Sequence, residues 1–210
     1  MTLQKAREPR WPAFVAMMAV ALLYFALPER LSVGPRWGLF SVIVLLLIPI
    51  ITTYRLGHYN VTRILTLVAN VAITLALIGS LVLLVEGLPH HKDPPGTLLS
   101  SAGSLWITNV LVFSLWYWKL DAGGPLGREK FGVVLRSSFL FPQMVRQSKA
   151  DEAWSPEFVD YLFLAFNTST AFSPTDTAVL ARWAKIAMML QSLISLTIIA
   201  LLAARAVNVL

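Results

Sequence analysis

The sequence predicts an all-α protein, a polytopic bundle of membrane helices. Charged residues make up 13% of the chain and hydrophobic ones 57%, whereas a soluble globular domain carries about 25% charged residues. Mean hydropathy is +0.69. Several apolar runs approach or exceed the roughly 20 residues needed to cross a bilayer. Segments of about 10 residues with strict alternation, the mark of a membrane β-barrel, are absent from the sequence. Six helical segments are expected. The alternative is five spans plus one re-entrant pore helix.

The first segment runs from Trp11 to Leu27. Pro12 suits a first turn, where its missing N–H costs nothing. Trp11 and Tyr24 fall near the two ends, as interfacial aromatics do. Lys5, Arg7 and Arg10 precede it, but Ala26-Leu27-Pro28-Glu29 is a poor cleavage site, so an uncleaved span is expected. The second segment is Trp37 to Thr53, with Pro49 expected to kink or end it. Gly57 to Asn60 forms a loop. The third, Ile64 to Val85, places Thr66, Asn70 and Thr74 at i, i+4 and i+8 on one face. That stripe is expected to bond neighbouring helices.

His90, His91 and Asp93 lie in the next loop. Two adjacent histidines beside one acid, with Lys92 between, make a poor metal site, so no metal is expected. The fourth segment, Thr97 to Trp118, opens with small residues and closes on Trp116-Tyr117-Trp118. Asn109 sits within it, with Asn70 as its expected partner. Residues 1–120 thus form a four-helix bundle.

Residues 121–156 read as a polar and interfacial linker. Its Gly123-Gly124-Pro125 is turn chemistry. Phe131 to Met144 is apolar but broken by Arg136 and Pro142, and is expected to lie on the membrane surface. Ser155, Pro156 and Glu157 mark a helix start: cap, first-turn proline, first-turn acid. Residues 157–210 then form a pore-like C-terminal hairpin. Its first helix, Glu157 to Phe172, has about 16 residues, roughly 24 Å, short of a hydrocarbon core of about 30 Å. Its second runs from Ala178 to Leu210, with Gln191, Ser192 and Ser195 as a polar face. Between them lie Asn167, Thr168, Ser169 and Thr170, then the tip Ser173-Pro174-Thr175-Asp176. Asp176 is expected to cap the last helix.

This C-terminal order resembles the pore region of tetrameric potassium channels. Tyr161 to Phe166 looks like the pore helix, and Thr170 to Asp176 falls where the filter would be. Thr170 and Asp176 match the filter pattern, whereas Ser173 and Thr175 replace its glycines and Pro174 its tyrosine. The resemblance implies an oligomeric pore for monovalent cations without a standard potassium filter, since that filter aims successive carbonyls at the ion. The filter-like residues are then Thr168, Ser169, Thr170, Ser173, Thr175 and Asp176. The stretches 116–125 and 171–177 also resemble a family of uncharacterised bacterial membrane proteins of the DUF1345 type, which implies no activity.

With six spans and a cytoplasmic N-terminus, twelve Lys and Arg fall inside and five outside, a strong positive-inside bias. It puts residues 119–156 and both termini in the cytoplasm, and the protein in a bacterial inner membrane. The expected function is an ion channel-like permeation protein. The alternative is a non-catalytic scaffold or accessory protein. No enzymatic motif is present, and no cofactor is expected. The expected partners are the lipid bilayer and, for a pore, further copies of the chain; nucleic acid is not one of them. The chain has no cysteine.

Overall fold

Helix formation follows the apolar runs. The computed structural model describes residues 8–87, 94–131, 137–145, 154–170 and 176–207. The helices are α1 (Trp11–Phe25), α2 (Arg36–Arg55), α3 (Tyr59–Gly87), α4 (Pro95–Leu120), α5 (Gly124–Phe131), α6 (Pro142–Val145), α7 (Phe158–Thr170) and α8 (Arg182–Val207). Two-residue strands, β1 (Phe139–Leu140) and β2 (Ala178–Val179), pair antiparallel. The chain is an all-α bundle. Four of its helical runs are long and apolar enough to cross a membrane: Arg36–Arg55, Tyr59–Gly87, Gly96–Glu129 and Arg182–Ala204. The 15 residues of α1 and the 13 of α7 are shorter.

Two compact units emerge, and α1, α4 and α8 contribute residues to both. One holds Phe14–Val112 and Ile194–Leu210. In it α2 and α3 form a hairpin. The turn uses Gly57 at φ +76°, a torsion that costs glycine nothing. Thr53 and Thr62 join the two helices through their hydroxyls, 2.9 Å apart. Helix α2 runs through Pro49 instead of ending there. Helix α3 is apolar on both sides. Ala69, Ile73, Leu77 and Leu84 are buried, while Ile64, Val68, Val71, Leu75, Ile78 and Val82 are exposed. A helix apolar all round belongs in a membrane or a large core, and here the outward stripe is the lipid-type face.

Tyr24, expected at an interface, is buried instead, at 2% exposure. Its hydroxyl accepts from the Val33 N–H at 2.6 Å. That ties the 28–35 turn to α1, and Val33 in turn meets α3. A Cβ on Gly79 would sit 2.4 Å from Val33 Cγ2, so the absent side chain permits the approach.

The other unit holds the residues up to Ala13 and Phe113–Leu193. Its geometry is set where α4 ends. Ala122 (φ 50°), Gly123 (φ 81°) and Gly124 (φ 80°) turn the chain sharply. The turn then packs on itself: a Cβ on Gly127 would lie 2.2 Å from the Ala122 carbonyl oxygen. Segment 137–141 folds back onto this corner. Phe139 is fully buried, with the rings of Tyr117, Tyr161, Phe141 and Trp183 around it at 5.2–6.4 Å. The expected membrane-surface role of Phe131–Met144 is therefore corrected at Phe139 and Phe141, which form the centre of a protein core; residues 132–136 lie outside the described residues.

The direction of α7 departs most from expectation. Trp118, at the end of α4, stacks edge-on with Phe158, at the start of α7. Phe139 touches Tyr161 in α7 and Trp183 in α8, so both helices start beside the same ring. Further along both, Gln191 reaches Ala165 and Ser169, and Ser192 reaches Thr168. Thus α7 and α8 run in the same direction. The opposed helices of the expected six-span hairpin are therefore not formed, whereas the shared direction fits the alternative of a re-entrant helix; Ser173, Pro174 and Thr175 lie outside the described residues. Asp176 is exposed and six residues ahead of Arg182, so it does not cap α8. The strand pair displaces that helix start from Ala178.

Substituting Gly127 by Ala should lower the thermal midpoint strongly, because the Cβ meets backbone. Gly96→Ala, with open space around it, should leave the midpoint within about 2 °C, since surface changes cost about 0.5 kcal/mol or less. Circular dichroism in detergent checks both.

Candidate functional site

The corner after α4 gathers buried charge. Arg128, on α5, is 1% exposed. Its Nε and NH2 groups donate to both oxygens of Glu8 at 2.9–3.1 Å. Its NH1 donates to the carbonyls of Trp118 and Asp121, each at 3.0 Å. The guanidinium carbon lies 5.1 Å from the Tyr161 ring centre. Planar fork geometry of this kind belongs to arginine and not to lysine. Trp118 also donates its indole N–H to Glu8. Burial pushes the Glu8 carboxyl above its ordinary range, and Arg128 opposes that rise.

Asp121 is the second centre and is fully buried. Its carboxylate accepts from the Tyr161 hydroxyl at 2.7 Å, the Ser137 hydroxyl at 2.8 Å and the Ser138 backbone N–H. Ser138 in turn accepts from the Trp183 indole at 3.1 Å, and its carbonyl from the Leu180 N–H at 2.8 Å. The N-terminal segment, α4, α5, 137–141, α7 and the approach to α8 are thereby joined. Arg10 and Glu129 add an ion pair at 3.4 Å.

Along α7 and α8, Gln191 is fully buried. It accepts from the Tyr117 hydroxyl at 2.6 Å and donates to the Ala165 carbonyl and Ser169 Oγ, each at 2.7 Å. Ser192 donates to the Thr168 carbonyl at 3.2 Å, and Thr168 to Leu164 at 2.8 Å. Thr170 donates to the Asn167 carbonyl at 3.0 Å. Asn167 itself is half-buried. The structure therefore brings Thr168, Ser169, Gln191 and Ser192 together. In the other unit, Ser195 accepts from the Trp106 indole at 2.8 Å. Ser173 and Thr175 lie outside the described residues, as do His90, His91 and Asp93. Among the described residues no group of three His, Asp or Glu could hold a metal.

The stripe on α3 makes bonds within its own helix. The Thr66 and Thr74 hydroxyls bond back to carbonyls four residues earlier in the same helix. Asn70 is 1% exposed, and both of its amide heteroatoms lack a hydrogen-bond partner. The expected Asn70–Asn109 hydrogen bond is thus not made. Glu8, Asp121 and Arg128 were not singled out from the sequence, and Tyr161 only as the start of a pore-helix-like stretch. The available signal was Asp121 directly before Ala-Gly-Gly-Pro, a left-handed turn that draws the following chain back over the acid.

Compared with family models, curated proteins and solved structures, the chain matches none.

Glu8→Gln should strand a buried guanidinium, which costs about 3–5 kcal/mol and lowers the thermal midpoint by roughly 10 °C at about 2–4 °C per kcal/mol. The double variant Glu8→Leu/Arg128→Met should recover most of the loss. Asn70→Leu should act oppositely, because a buried unmet amide costs about 1–3 kcal/mol; a rise of a few degrees in a detergent melt is the expected result.

Proposed function

We propose that the chain is an integral membrane protein in which α7 re-enters the membrane, and that several copies together form a cation-permeation path. The observation that carries this reading is the shared starting end of α7 and α8. A chain that enters through 13 helical residues, about 20 Å, and is back beside Ser138 by Leu180 does not cross. Backbone that turns round at membrane depth is tolerated only where it is buried in protein or lines water. The residues that follow Thr170 include Ser173, Thr175 and Asp176, which suit water. One loop of this kind cannot enclose a path, so the reading requires an oligomer. Val159, Phe163 and Phe166 form an exposed apolar stripe on α7 that would meet a neighbouring copy.

Charge supports a cation over an anion. Residues 157–181 contain Glu157, Asp160 and Asp176 and no Lys or Arg. In this reading the C-terminal end of α7, the negative end of its dipole, points away from the charged corner and into the membrane. The replaced filter glycines favour permeation along hydroxyls over potassium-type carbonyl coordination.

A second reading, a non-catalytic scaffold or accessory protein, draws support from the hydroxyls and amide of Thr168, Ser169, Gln191 and Ser192. All are engaged in bonds within the chain. They hold α7 in place under either reading.

Purified protein in liposomes decides between the two. Potassium or sodium flux, with an oligomer by native mass measurement, is the expected result. Thr175→Val and Asp176→Asn should each cut flux several-fold without moving the thermal midpoint. A monomer that passes no monovalent cation leaves the scaffold reading.

A further inference from the structure

We infer that the chain crosses the membrane five times, that its two ends face opposite sides, and that the α7 loop is entered from the cytoplasmic side. The inference rests on α7 re-entering but not on permeation. Segments hydrogen-bonded to each other outside the hydrocarbon lie on one side of it, so the chain between them has no net crossing.

Two such links exist. Glu8 is bound to Arg128, and Arg10 to Glu129. Helices α2, α3 and α4, of 20, 29 and 26 residues and each long enough to cross, lie between the linked residues. Three is odd, so a fourth crossing is required, and α1 is the remaining apolar helix. Its 15 residues, about 22 Å, are shorter than the hydrocarbon core, and Ala26, Leu27 and local thinning of the bilayer complete the crossing. The second link is Ser138 with Leu180 and β1 with β2. Between these, α7 is the one helix of more than four residues among the described residues, and it produces no net crossing. Helix α8 then crosses once and carries the C-terminus to the far side.

Charge provides an independent check. With six crossings, twelve Lys and Arg share a side with the N-terminus. With five, Arg182 and Lys185 join that side and Arg205 leaves it, giving thirteen against four. The revised path strengthens the positive-inside bias and so places the N-terminus, the charged corner and Asp176 in the cytoplasm. In potassium channels the pore helix enters from outside; here the entry is reversed, and a water-soluble cation or blocker would reach Asp176 from within.

Because no native cysteine exists, single cysteines report cleanly. Arg30→Cys, Leu56→Cys, Asp176→Cys and Leu210→Cys are treated with a membrane-impermeant maleimide, on intact cells and after lysis. Reaction of the Arg30 and Leu210 variants in intact cells, with the Leu56 and Asp176 variants reacting only after lysis, is the expected pattern. If the cysteine at 176 reacts from the opposite side to that at 56, or from the same side as that at 210, the five-crossing path is wrong. Flux is measured separately, so a correct path without conduction would remove the permeation reading and leave the topology standing.

Discussion

Everything distinctive in this chain depends on a constraint at one corner: buried charge must be met. Arg128, Glu8 and Asp121 are nearly or wholly removed from solvent. Removing such ions from water costs several kcal/mol each unless partners are well placed. Glu8 supplies a two-oxygen partner to the guanidinium. Two carbonyls take its remaining fork, and Tyr161, Ser137 and the Ser138 N–H meet Asp121. Those partners come from four stretches of chain: the N-terminal segment, the end of α4, the 137–141 segment and α7. Satisfying the charges therefore fixes where the N-terminal segment, α5, the 137–141 segment and α7 must be.

That demand decides the course of the C-terminal third. Tyr161 lies in the second turn of α7, and its hydroxyl must reach Asp121. Leu180 and Trp183, just before and within the start of α8, must reach Ser138. Both helices are consequently tied by their first turns to one place. Gln191 completes the arrangement from the other direction. Its amide links α4, α7 and α8 and leaves none of its three bonds to water. Polar groups that read as a pore lining thus act, on α7 and α8, as the means by which a short helix is held beside a long one.

The helices themselves were largely legible. Runs such as Ile64–Val85 are apolar over most of their surface and lack the strict alternation of a barrel strand, so a helix is what satisfies their backbone in lipid. Their ends shifted by a few residues, as at Tyr59 and at Arg182. The start of α7 shows why. Ser155 and Pro156 suggested the cap, but the Asp160 side chain accepts from the Glu157 N–H at 2.7 Å, half of a capping box supplied from inside the helix. The polar stripe on α3 was legible as a stripe and not as a set of contacts. A threonine hydroxyl can bond to its own helix as readily as to a neighbour, and Thr66 and Thr74 do so. Asn70 has no such local outlet.

What the sequence determined by itself was composition along the helices: which segments are apolar enough for lipid, and which loops carry positive charge. These depend on neighbours in the chain, so they survive without knowledge of the fold. The tertiary structure alone decided direction. Whether α7 opposes α8 or accompanies it turns on Asp121 meeting Tyr161 across 40 residues and on Ser138 meeting Leu180 across 42. No local pattern encodes those pairings, because a buried carboxylate accepts from any donor that the packing of the chain delivers to it.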